Sequence, residues 1–111
     1  MSCELPEELR TIEWLDPWQP VPEGGVGLAA ELTREVGPAH ALFGREAVAV
    51  GRRLDQDDVL FWLPAGPAVL AVVHLTWSGR RERSPHWPAT TFYVSVADWI
   101  ERGMKADDLA E

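Results

Sequence analysis

Between residues 59 and 87 the chain reads VLFWLPAGPAVLAVVHLTWSGRRERSPHW, and this stretch limits the fold more than any other. Two apolar runs, 59–63 and 68–77, flank Pro64-Ala65-Gly66-Pro67. Between them the runs carry four Val, one Phe and two Trp, residues that suit a pleated surface. A link this short permits only antiparallel neighbours. In front of them Glu46-Ala47-Val48-Ala49-Val50-Gly51-Arg52-Arg53 has strand composition with Val48 and Val50 on one face, and Asp55-Gln56-Asp57-Asp58 reads as a turn. The prediction is a three-stranded meander, with residues 90–94 as a candidate fourth, edge strand. In the second strand Val59, Phe61 and Leu63 oppose Leu60 and Trp62, so both faces are apolar and both need cover. Helices can supply one cover. The other falls to the Trp-rich N-terminal segment or to a second copy of the chain, a homodimer.

The remaining segments suit that role. Residues 1–24 carry Trp14, Trp18 and four prolines. The run Trp14-Leu15-Asp16-Pro17-Trp18-Gln19-Pro20 excludes a regular helix or an inner strand, because proline removes donors and restricts the residue before it. Residues 25–36 read as an amphipathic helix, with Val26, Ala29, Ala30, Leu32 and Val36 at near-helical spacing and Gly37-Pro38 as its stop. One further turn can follow over 38–43, closed by Gly44. Ser95-Val96-Ala97-Asp98 is a capping box that opens a helix to about Gly103, with Trp99 and Ile100 facing inward. Residues 105–111 read as a solvated acidic tail. At 111 residues the chain is one α+β domain, residues 1–111, with two or three helices flanking three to four strands.

Charge narrows the partners. The formal net charge is −8, from 18 acidic and 10 basic residues. Phosphate backbones and anionic membranes repel such a surface, so neither nucleic acid nor membrane is expected. The apolar run 68–75 is also far too short to span a bilayer. Cys3 is the sole cysteine, which excludes an intrachain disulfide and paired-thiolate metal sites. The first ten residues, MSCELPEELR, lack the basic and apolar regions of a signal peptide, so the expected location is the cytoplasm. Of the basic residues only Lys105 is not Arg, and Ala, Gly and Pro are frequent, a composition that points to a GC-rich bacterial source.

No catalytic or ligand motif is complete. His74 shares a strand face with Leu70, Val72 and Thr76. An imidazole beside a hydroxyl can act as acid, base or ligand, or can simply sit at the core edge bonded to backbone. Along a strand Ser78 lies roughly 13 Å from His74, beyond hydrogen-bond reach, and no GxSxG elbow is present. His40 and His86 are isolated in sequence. Asp55, Asp57 and Asp58 lack the glycine and terminal glutamate of a calcium loop and suit a charged turn. Gly24-Gly25-Val26-Gly27 has neither a preceding apolar strand nor a lysine, and reads as a helix entry. The six tryptophans are the compositional oddity. Most can staple loops to a small core, whereas Trp77 and Trp87 bracket a polar loop and suit recognition. In that loop Arg80, Arg81 and Arg83 can clamp a carboxylate or phosphate, or remain solvated.

The series His74-Leu75-Thr76-Trp77-Ser78-Gly79, Pro85-x-Trp87-Pro88-x-Thr90-x-Phe92 and Ser95-x-x-x-Trp99 resembles a pattern found in small bacterial proteins that carry no known function. The likeness covers roughly residues 60–105, with the Trp-Pro segment in front. It implies no activity and marks the region from His74 to Trp99 as the defining unit.

Together these readings predict a non-catalytic binding module without a cofactor. Its ligand or partner surface would comprise His74, Thr76, Trp77, Arg80, Arg81, Trp87 and Tyr93. The partner would be a protein or a small ligand, and the acidic charge suits the masking of a basic protein, as immunity proteins and antitoxins do. Two rivals stand beside this reading. One is a small hydrolase using His74 with Thr76, Ser78 or a carboxylate from elsewhere, and the other is a structural subunit of an assembly.

Overall fold

The structure is a computed structural model that describes residues 7–15, 18–21, 26–53, 57–64, 69–77 and 88–105. Five antiparallel strands lie in chain order: β1 (Trp18–Pro20), β2 (Val48–Arg53), β3 (Asp58–Trp62), β4 (Leu70–His74) and β5 (Ala89–Tyr93). The helical elements are one turn, α1 (Glu7–Arg10), then α2 (Val26–Glu35), and α3 (Val96–Trp99), which continues into a π-helical turn over Ile100–Met104. The α+β meander is therefore as expected, but it has five strands where three to four were predicted.

The additional strand is β1, inside the Trp-Pro segment. Trp18, Gln19 and Pro20 pair with Arg53, Arg52 and Gly51 at the edge of the sheet. A proline is tolerated there because its missing donor can face away from the ladder. β2 carries a bulge: Ala49 opposes Phe61 and Gly51 opposes Leu60, so Val50 is the extra residue. Ala49 lies in one core and Val50 in the other, as alternation along a strand requires.

Each face of the sheet has its own cover. On one face, Leu28, Leu32 and Val36 of the α2 segment and Leu42 pack against Ala49, Phe61, Ala71, Val73 and Leu75. On the other, Leu9, Trp18, Val96, Trp99 and Met104 pack against Val50, Leu60, Leu70 and Tyr93. The second face is thus covered by the N-terminal segment together with α3 and the π turn. Trp99 is its centre, meeting Trp14 and Trp18 edge-on at 5.8 and 5.4 Å between ring centroids. Glycines make room for these rings. A Cβ on Gly51 would fall 2.5 Å from the Trp14 ring, and one on Gly103 would fall 2.6 Å from the Trp99 ring.

Helix ends follow the sequence with small differences. α2 stops at Glu35, ahead of Gly37-Pro38. Residues 38–44 form successive hydrogen-bonded turns rather than a helix, closed by Gly44 at φ +76°. Ser95 Oγ accepts from the Asp98 amide at 3.0 Å, but Asp98 returns to the Val94 amide at 3.1 Å, one residue earlier than a reciprocal box requires. Lys105 is helical and pairs with Glu101 at 2.8 Å; the rest of the predicted tail lies outside the described residues.

Candidate functional site

The end of β4 carries the site, and it is built from three elements. β3 supplies Asp58, which stands opposite His74 in the register. Directly opposed side chains on one sheet face come within contact distance. His74 Nδ1 lies 2.7 Å from Asp58 Oδ1, and Arg53 lies 4.0 Å from the other carboxylate oxygen. Asp58 thereby fixes the imidazole ring by one nitrogen, while 44% of the His74 side chain stays exposed. The partner of His74 is a carboxylate, not the backbone group of the core-histidine alternative.

The helix α2 supplies the second group. Glu35 is wholly buried, and its carboxylate receives two consecutive backbone amides, Thr76 N at 2.9 Å on Oε1 and Trp77 N at 2.8 Å on Oε2. Glu31, one turn earlier and also buried, hydrogen-bonds Glu35 and is paired with Arg34 at 3.1 Å. Burial raises the Glu35 carboxyl above its ordinary value of 4.5, the Glu31 hydrogen bond raises it further, and the Thr76 and Trp77 amides pull it back.

What Glu35 holds is unusual backbone. Trp77 has φ +58°, the left-handed region, which is an outlier for a bulky residue. Its indole is 47% exposed. The chain leaves β4 at His74, and the carboxylate fastens the next turn so that an aromatic side chain stands out from the surface. Thr76 is exposed beside it.

The predicted surface is divided by the register. Tyr93 pairs with Leu70 and His74 with Ala89, so Tyr93 lies at the other end of β4. Tyr93 is 8% exposed, belongs to the Trp99 core, and carries the Arg102 guanidinium over its ring at 5.3 Å. Arg80, Arg81 and Trp87, with Ser78, Arg83 and His86, lie outside the described residues. His40, isolated in sequence, is buried: Nδ1 accepts the Leu42 amide at 3.0 Å and Nε2 donates to the Pro88 carbonyl at 2.9 Å.

Sequence reasoning missed Glu31, Glu35 and the Asp58–His74 pairing. The spacing of the two glutamates was readable, since residues 28, 31, 32, 35 and 36 form one helical stripe. Asp58 needed the register. Among the described residues no group of three His, Cys, Asp or Glu side chains is placed to hold a metal ion, and no helix is long and apolar enough to cross a membrane. No family model matches the chain, no curated protein matches it, and no solved structure matches it.

Proposed function

We propose that this chain is a non-catalytic recognition module whose contact surface is the end of β4, with Trp77 as the aromatic anchor and His74 and Thr76 beside it. The observation that carries this reading is the Trp77 backbone. A left-handed bulky residue costs on the order of 1–3 kcal/mol and persists only where its surroundings over-determine it. Here a buried carboxylate does so, and the product is a half-exposed indole at a fixed position. Pre-organised aromatic groups of this kind suit interface hot spots. The partner is a protein or small ligand, and the charge of −8 favours a basic one. The arginine-dominated composition and single cysteine support a bacterial, cytoplasmic setting for this activity.

The test is native mass spectrometry of tagged wild type and Trp77→Ala purified gently from the source organism. A species at defined stoichiometry on the wild type and missing from a folded Trp77→Ala supports the module. Equal retention by both removes Trp77 from the contact.

One observation favours a second reading, a small acid–base hydrolase. The Asp58–His74 pair, at 2.7 Å with the imidazole half-exposed, has the arrangement in which a carboxylate orients a general base. Turnover of ester or amide substrates that disappears in both His74→Ala and Asp58→Asn, with folding intact, would replace the binding reading.

A further inference from the structure

The turns that follow α2 do not close against it. Between them lies a cavity of about 260 Å³, with Leu32 and Val36 on the helix side and Leu42 and Phe43 on the other. Small residues keep it open: Ala29 on the helix, and Gly44 and Ala47 across from it. A Cβ on Gly44 would still meet nothing within 4 Å. Phe43 stands at this wall with nearly half of its surface exposed to water.

What the wall can offer a ligand follows from where its polar groups are spent. The Thr33 hydroxyl donates to the Ala29 carbonyl at 3.1 Å. The Val36 amide donates to the Leu32 carbonyl, the Phe43 amide to the His40 carbonyl and the Arg45 amide to the Leu42 carbonyl, all at 3.0–3.1 Å. The Leu42 amide is taken by His40 Nδ1 at 3.0 Å. Arg45 lines the wall too, but it is already engaged within the protein. These bonds have two consequences. They hold the turn in one shape, which His40 also ties to the Pro88 carbonyl, so the cavity is pre-formed. They also leave apolar contact as the means of holding a ligand, and a charged group entering here would give up water without a dedicated counter-charge.

We infer that this cavity binds a small uncharged apolar molecule, of the size of a monocyclic aromatic with one or two short substituents, seated between α2 and Phe43. Size fits: an apolar cavity of about 150 Å³ accepts benzene, and this one is larger. Such a ligand would cover the Phe43 ring and the aliphatic wall together, and burial of apolar surface is the driving force. The site uses none of His74, Thr76 or Trp77, so it stands independently of the recognition surface.

The experiment is a titration of the full chain followed by heteronuclear NMR, with toluene as the probe and benzoate and benzylammonium as its charged analogues. Toluene should saturate with a dissociation constant on the order of 1 mM or tighter, with shifts centred on Ala29, Leu32, Phe43 and Gly44. Both charged analogues should bind at least about tenfold more weakly. Ala29→Leu fills the space from a helix position that suits leucine and should abolish saturation. Phe43→Ala, at a half-exposed position, removes one wall and should weaken toluene about tenfold, which keeps the test independent of whether the leucine is accommodated. A dispersed spectrum reports that each variant is folded. Either charged analogue binding as tightly as toluene overturns the uncharged class. Shifts centred elsewhere, no saturation up to the solubility of toluene, or unchanged affinity in a folded Ala29→Leu or Phe43→Ala overturns the site itself.

Discussion

Trp77 offers a prediction whose sign, and not only its size, depends on the backbone. Compare Trp77→Gly with Trp77→Ala. Each removes a half-buried indole, a loss of about 100 Å² of buried surface or roughly 2–3 kcal/mol, and that term is common to both. The difference between them isolates the backbone at φ +58°. An L-residue in the left-handed region carries about 1–2 kcal/mol that glycine does not. Glycine in turn loses about 0.5–1 kcal/mol more chain entropy on folding than alanine. Trp77→Gly should therefore be the more stable variant by about 0.5–1 kcal/mol, whereas at an ordinary strand or helix position the order is reversed. Urea denaturation followed by far-ultraviolet circular dichroism reads this directly, since the signal does not depend on the missing indole. With a slope of about 1–3 kcal/mol per M, the midpoints should separate by a few tenths of a molar or more. If Trp77→Ala proves the more stable, Trp77 is not held in the left-handed region, and the argument for a pre-organised anchor fails with it.

Glu35 makes a prediction in pH. Its folded carboxyl holds the proton above the ordinary 4.5, so the folded state binds more protons than the unfolded state just above that pH. Its contribution to stability is fully present below 4.5 and declines as pH rises through the raised folded value. Glu35→Gln should flatten that decline when denaturation is measured from pH 4 to neutrality; an unchanged pH profile would refute the assignment. Gly103→Ala, usually favourable inside a helix, should cost about 1–3 kcal/mol by differential scanning calorimetry because its Cβ falls 2.6 Å from the buried Trp99 ring; a gain in Tm would show that the π turn opens freely. His40→Ala leaves the Leu42 amide and the Pro88 carbonyl without their imidazole partner, a loss of roughly 2–4 kcal/mol in urea, and an effect below about 0.5 kcal/mol would count against that bridge. Ser95→Ala should cost about 1 kcal/mol through the lost Asp98 amide cap, and no effect would mean another group replaces it.

The parts of the fold that local chemistry decides were legible. Gly37-Pro38 ended α2 as expected, the short Pro-Gly link allowed β3 and β4 only as antiparallel neighbours, and Ser95 opened α3. β1 was not legible, because a strand of three residues ending in Pro20 exists only through its pairing with Gly51, Arg52 and Arg53. The site was half legible. His74 and Trp77 stood out by type and place, but what holds them came from elsewhere in the chain. Asp58 reads as part of a charged turn until the register sets it opposite His74. Glu35 falls on the apolar stripe of α2 in sequence, but what it binds emerges only when α2 docks and its carboxylate meets the Thr76 and Trp77 amides. Tyr93 shows the converse: an aromatic near polar residues in sequence is carried by the register into the Trp99 core.

The most direct test of the central claim, that the end of β4 presents Trp77 for recognition, is native mass spectrometry of the protein gently purified from its source as wild type and as Trp77→Gly. That variant keeps the backbone geometry and removes only the indole. The account predicts a bound protein or small molecule at defined stoichiometry on the wild type and a folded, bare Trp77→Gly. A wild type that carries nothing, or a Trp77→Gly that keeps the same species in the same amount, would contradict it.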